Sequence, residues 1–196
     1  MKTRLIISII ICILALSAYS QDYQAFYSKS QLINRSGMFV LGGWAVTNIV
    51  SGAIGWAYTS GDSKYFFQMN LFWNTVNLAI AGFGLAGTFS TDILTMTHPE
   101  MLEKHLKSER LFLINAGLDI LYIGGGLYMK HLSSRKEKNK DLLSGYGKSI
   151  MLQGGFLLVF DTVMYLIQRN HRIQFLDHQV MDISFTPGGI SCICKF

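Results

Sequence analysis

The sequence predicts an all-α membrane protein: a four-transmembrane-helix bundle, preceded by a cleaved signal peptide and followed by a short C-terminal β-hairpin-like tail. Three observations carry this expectation. Half of the 196 residues are hydrophobic and only 15% are charged, against roughly 25% in an average soluble domain. Residues 37–58, 66–87, 111–129 and 149–168 each approach the roughly 20 apolar residues that cross a hydrocarbon core, and none of the four holds a Lys or Arg. Glycine outnumbers proline 19 to 2, which suits helices in lipid, where glycine is commoner than in soluble ones.

Residues 1–20 read as a leader. Lys2 and Arg4 give a basic start, Leu5 opens an apolar run, and Ser17-Ala18-Tyr19-Ser20 forms a small-residue cleavage pattern before Gln21. Ile11 is too bulky for Cys12 to mark a lipoprotein site. The alternative is an uncleaved anchor helix, and either reading puts Gln21 and the segment 21–36 outside the cytoplasm.

The spans then alternate. Lys130, Arg135, Lys136, Lys138, Lys140 and Lys148 crowd the loop between the third and fourth, whereas the loop between the second and third mixes Asp92, Glu100, Glu103 and Glu109 with Lys104, Lys107 and Arg110. The positive-inside rule places the basic loop in the cytoplasm. Counting back through the spans puts Gln21 in the periplasm, as the leader independently requires, and the tail 169–196 becomes periplasmic too. A bacterial inner membrane is the expected location. The second span is the weakest, carrying Gln68, Asn70, Asn74 and Asn77.

Thr97-His98-Pro99-Glu100 signals a helix start, with proline in the first turn. The helix is expected to run unbroken into the third span. Its projecting face of Met101, Leu102, His105 and Leu106 either packs on the bundle's own outer end or docks a partner. In the tail, 180–186 and 190–196 alternate around Pro187-Gly188-Gly189, the pattern of a hairpin. Cys192 and Cys194 fall on one side of its second strand and read as small apolar residues.

Function is sought among polar side chains at membrane depth. Trp44 and Asn48 share a face of the first span, and Asn70, Asn74 and Asn77 a face of the second. Asn115, Asp119 and Tyr122 line up on the third, and Gln153, Asp161, Tyr165 and Gln168 on the fourth. Such stripes turn toward neighbouring helices rather than lipid. Gly124, Gly125, Gly126, Gly154 and Gly155 would let backbones approach. Asp119 lies about 12 Å, and Asp161 about 10 Å, from the outer ends of their spans, so the acids fall at one level. Arg110, Lys130 and Arg169 are each more than about 12 Å away along the helices. A lone carboxylate there costs several kcal/mol, at least roughly. It must be protonated, hydrogen-bonded by amides and phenols, or paired with a cation. The ligand- or ion-binding candidates are therefore Asn48, Asn74, Asn77, Asn115, Asp119, Tyr122, Gln153, Asp161 and Tyr165. A structural network that fixes helix register is the competing reading.

Other chemistry finds little support. The span interiors hold no histidine, so haem ligation and a metal centre are not expected, nor any other cofactor. His98 with His105, and His171 with His178, are spaced to align on a helix but make a weak metal motif. No hydrolase, metalloprotease or Walker motif occurs, and scattered positive charge does not make a nucleic-acid-binding face. Lipid is the expected partner, with a homo-oligomer or another envelope protein as the alternatives. Trp73-Asn74-Thr75-Val76 and Phe160-Asp161-Thr162-Val163 form a faint internal echo between spans two and four.

Gly42-Gly43-Trp44, Met69-Asn70 with Trp73-Asn74 and Asn77, Leu118-Asp119 with Tyr122, and Gln153-Gly154-Gly155 with Asp161 together resemble an uncharacterised family of small bacterial membrane proteins, a domain of unknown function. The likeness runs from about residue 37 to the C-terminus. It implies a four-span inner-membrane protein and supplies no activity, substrate or catalytic residue. The expected function is a non-enzymatic bundle whose polar seam binds a proton, cation or small ligand. An assembly partner of an envelope protein, and a lipid- or envelope-modifying enzyme, are the alternatives.

Overall fold

The computed structural model describes the backbone of residues 2–178, 181–186 and 189–194, and side chains between residues 23 and 176. Four long helices make the body: α1 (Lys2–Tyr58), α2 (Gly61–Ser90), α3 (His98–Ser133) and α4 (Lys140–His178). The tail backbone forms β1 (Met181–Thr186) and β2 (Gly189–Cys194), which pair antiparallel with Thr186 opposite Gly189. The side chains of residues 1–22, Cys12 among them, and those of Cys192 and Cys194 lie outside the described residues.

Short connections make α1–α2 and α3–α4 two antiparallel hairpins, which join broadly through α2 and α4. One end of the bundle carries the basic loop; the other carries the start of α3, and is called here the His98 end. The α2–α4 seam is tight near the basic loop. Asp62 on α2 accepts a hydrogen bond from Ser144 and pairs with Lys148 at 2.5 Å, while Tyr146 donates to Gln68 at 2.9 Å. Gly126 and Gly147 set the α3–α4 approach: a Cβ on Gly147 would stand 2.6 Å from the Gly126 carbonyl oxygen. Gly154 also faces α3, against Asp119 and Ile123, whereas Gly124, Gly125 and Gly155 border open space and mediate no approach.

Met38, Leu41, Ala81, Phe112, Leu157, Phe160 and Met164, drawn from all four helices, form the central core. Around it the outward faces stay apolar: Phe39, Phe83, Leu121 and Val159 are 61%, 81%, 69% and 65% exposed. Apolar surface this continuous marks an interaction face rather than a wetted one. The described part of α1 (Tyr23–Tyr58), α3 and α4 are long and apolar enough to cross a membrane, which suggests a membrane location. The second helix falls outside that set because Asn70, Asn74 and Asn77 dilute its hydropathy, yet all three are buried inward.

Helix α3 starts as expected. Pro99 occupies its first turn, and the Glu100 carboxylate accepts from the Thr97 N–H at 2.8 Å and hydroxyl at 2.9 Å. Its 36 residues extend about 54 Å, well beyond a hydrocarbon core of roughly 30 Å. The surplus turns do not stand free. Met101 and His105 are fully buried, and Phe26, Tyr27 and Met101 nucleate a second apolar cluster with Tyr23, Met96 and Phe175 packed around it. The projecting face is thus occupied by α1 and α4 of the same chain, the first of the two uses expected of it. Segment 21–36, read in sequence as a bare periplasmic stretch, is helical and supplies that packing.

Candidate functional site

Asp119 on α3 and Asp161 on α4 line one cavity, close enough to interact electrostatically, with Asn115 on the same wall. Both are nearly inaccessible, at 2% and 4% exposure. Two carboxyls so placed do not readily ionise together, because like charges repel strongly in a low dielectric. Among the described residues, Asp119 Oδ2 is one of four buried side-chain atoms without a hydrogen-bond partner. An acceptor left that way costs about 1–3 kcal/mol or more when charged.

Asp119 also lines a cavity of about 290 Å³, walled further by Asn77, Asn115, Tyr122 and Asp161 with Trp73, Phe112 and Phe160 among its apolar lining. It exists because α2 and α3 both pack closely on α4 while their backbones stay apart from each other. The Trp73 and Tyr122 rings meet edge to face, 4.9 Å apart and at 86°, across this gap. Val76, Ile80 and Leu118 line the cavity yet are 60%, 52% and 41% exposed. The cavity therefore opens sideways, between α2 and α3.

The remaining amides form a separate ladder. Asn48 donates to the Trp44 carbonyl at 2.8 Å, Asn70 donates to Asn48 Oδ1 at 2.8 Å, and Gln153 donates to Asn70 Oδ1. Trp44 closes the ring by donating to Gln153 Oε1 at 2.9 Å. Asn74 donates to the Asn70 carbonyl at 2.8 Å and receives Asn77 at 3.4 Å, so Asn77 links the ladder to the cavity wall. With every partner inside the protein, Asn48, Asn70, Asn74 and Gln153 hold α1, α2 and α4 in register. Tyr165 stands apart from both groups: it packs against the central core, and Arg169 lies over its ring at 6.0 Å.

A third polar group sits at the His98 end. Ser30 Oγ lies 2.8 Å from His105 Nδ1 and donates to Gln168 Oε1 at 3.3 Å. Gln168 donates to Asn34 Oδ1 at 2.8 Å, which also receives Ser108 at 3.1 Å. Arg172 grips Glu109 with two bonds of 2.8 and 3.0 Å, and Glu109 Oε2 stands 3.8 Å from His105 Nε2. Around it Glu103, Lys104, Lys107 and Arg110 are exposed, which places this stretch outside the apolar span 111–129. Burial first, and the neighbouring His171 second, push the His105 pKa down to about 4. Ser, His and Glu in line resemble a hydrolytic relay, but Ser30 and His105 are 1% and 0% exposed, and Glu109 is committed to Arg172. The arrangement ties α1, α3 and α4 together. Sequence reading put His105 on a packing face of α3 and Gln168 on the fourth-span stripe but did not join them to Ser30, Glu109 and Arg172; the signal was there in His105/Glu109 and Gln168/Arg172, each four apart on one helix face.

A model of a protein family of unknown function, DUF6992, matches residues 40–162, which is more than half of the chain. The chain belongs to this family. The region that DUF6992 describes holds Asp119, Asp161, the cavity wall from α2 and α3, and the whole amide ladder, whereas Ser30, Gln168 and Arg172 fall outside it. No curated protein and no solved structure matches the chain.

Proposed function

We propose that this DUF6992 member is a four-span bundle of a bacterial inner membrane, with its leader removed and both termini periplasmic. Its lateral cavity at Asp119 and Asp161 binds a proton, a cation or a small ligand without enzymatic chemistry. Asn77, Asn115 and Tyr122 complete that site, while Asn48, Asn74 and Gln153 support it and Tyr165 lies beyond it. The fourth span is α2: its asparagines point inward, Phe72, Val76 and Phe83 point outward, and the exposed Thr75 hydroxyl is bonded back to the Leu71 carbonyl. One observation carries the binding reading: two buried carboxyls, one of them with an unpartnered oxygen, belong to the wall of a single cavity.

The test is the melting temperature of purified protein in nanodiscs, scanned from about pH 5 to pH 8 and against alkali cations. Beyond the acid slope that His105 contributes below about pH 6.5, wild type is expected to respond to one of these variables, and Asp119→Asn and Asp161→Asn are expected to lose that part of the response. Equal behaviour of all three proteins refutes the site. The assembly-partner reading is weaker, because the projecting face of α3 is filled by the chain's own α1 and α4.

A further inference from the structure

Helices α1 and α4 touch at the Ser30–Gln168 level and again where Trp44 stacks on Phe156, with ring centroids 3.9 Å apart and planes 4° from parallel. Between these contacts they splay. The result is a groove of about 540 Å³ with Gly37, Phe160 and Met164 among its lining, Val40, Val159 and Val163 along its exposed rims, and Lys29 as its sole charged wall residue. It is distinct from the Asp119 cavity, with which it shares only Phe160. Gly37 keeps the floor high, since a Cβ there would meet Met164 Cε at 2.5 Å.

From Phe156 to Ile167 the groove runs about 16 Å, the depth of one leaflet of a roughly 30 Å core. Dividing the volume by that length leaves a mean cross-section of about 34 Å². An extended hydrocarbon chain can follow a trough of this width along its length, with one side open to the bilayer. Charge supplies the other half of the recognition. Lys29 is exposed at the His98 end of the groove, and residues 23–58 contain Lys29 and Arg35 but no acid. The nearby Glu109 is already held by Arg172.

We propose that this groove is a binding site for an anionic phospholipid. One acyl chain lies along Gly37 and Met164 and the phosphate pairs with Lys29. The apolar contacts give little preference, because bilayer and groove are equally dry; the choice of lipid comes from the lysine. One cationic side chain near an anionic membrane surface contributes about fivefold.

Native mass spectrometry of delipidated full-length protein tests this, after incubation with phosphatidylglycerol or with zwitterionic phosphatidylcholine. Wild type is expected to retain one phosphatidylglycerol about fivefold better than one phosphatidylcholine. Lys29→Gln is expected to erase that ratio while leaving the melting temperature unchanged, since the side chain is exposed. Val163→Trp, filling the groove from its rim, is expected to reduce retention of both lipids. An unchanged ratio in Lys29→Gln, or full retention in Val163→Trp, overturns the proposal. So does disulfide formation between two copies of Val163→Cys in native membranes, which would make the occupant a second copy of the chain. None of these readouts involves Asp119 or Asp161, so the outcome stands apart from that of the cavity.

Discussion

Replacing Arg172 by Met asks how much the Glu109 clasp contributes to the bundle. Glu109 is 6% exposed and receives both guanidinium bonds, at 2.8 and 3.0 Å. Methionine keeps the apolar stem and removes the charge, leaving a buried carboxylate facing a neutral imidazole 3.8 Å away. Breaking a buried pair from one side costs about 3–5 kcal/mol. Here Arg172 is 24% exposed, so water can follow into the vacated position, and the loss is set lower, at about 2–3 kcal/mol. For a chain of this size that lowers the melting temperature by about 4–12 °C. Thermal unfolding in one detergent, followed by circular dichroism, gives the number. The companion Glu109→Met/Arg172→Met removes both charges and is expected to recover to within about 1 kcal/mol of wild type. An Arg172→Met protein that melts with wild type, or a double variant no better than the single, would refute the argument that an uncompensated buried charge is the source of the loss.

His105 predicts a pH dependence. Its folded pKa of about 4 lies below the ordinary 6.5, so the unfolded chain binds more protons in between. Its contribution is full above about pH 6.5 and is lost as pH falls through about 4, a change of about 3 kcal/mol; melting curves of His105→Gln should lack this part of the acid slope. Gly147→Ala puts a methyl 2.6 Å from the Gly126 carbonyl oxygen and is expected to destabilise by about 1–3 kcal/mol, read from the same melts. Trp44→Phe orphans the fully buried Gln153 Oε1 and should cost a similar amount, about 1–3 kcal/mol. Asp62→Asn loosens a pair whose partners are 34% and 44% exposed, and a change under about 1 kcal/mol is expected.

What could be read from sequence follows the range of the forces involved. Helix existence is local, so four apolar stretches and the Thr97-His98-Pro99-Glu100 start were sufficient to place the helices and the unbroken α3. The meeting of Asp119 with Asp161 was legible because helical rise fixes depth and unpaired acids have few places to go. Partner choice was not legible. Asn48, Asn70 and Gln153 bond across three helices, a matter of rotation about each axis, and sequence spacing fixes only which residues share a face. Tyr165 illustrates the limit: it is four residues from Asp161 on the same helix, yet it turns toward Arg169. The Ser30–His105–Arg172 group stayed hidden for another reason. Its members lie on three helices beyond the apolar spans, and only the packing of those helix ends brings them together.

The two hairpins meet along α2 and α4 and are fastened again by Ser30, Asn34 and Gln168, while the stretch between Ser90 and His98 spans the junction with a single short turn. Most of the surfaces that recognise one another are complete before that stretch is reached or after it is passed. Two separately translated polypeptides, divided just before Asp92, would therefore be expected to reassociate, with Ile93 and Met96 still carried on the second half to pack against α1.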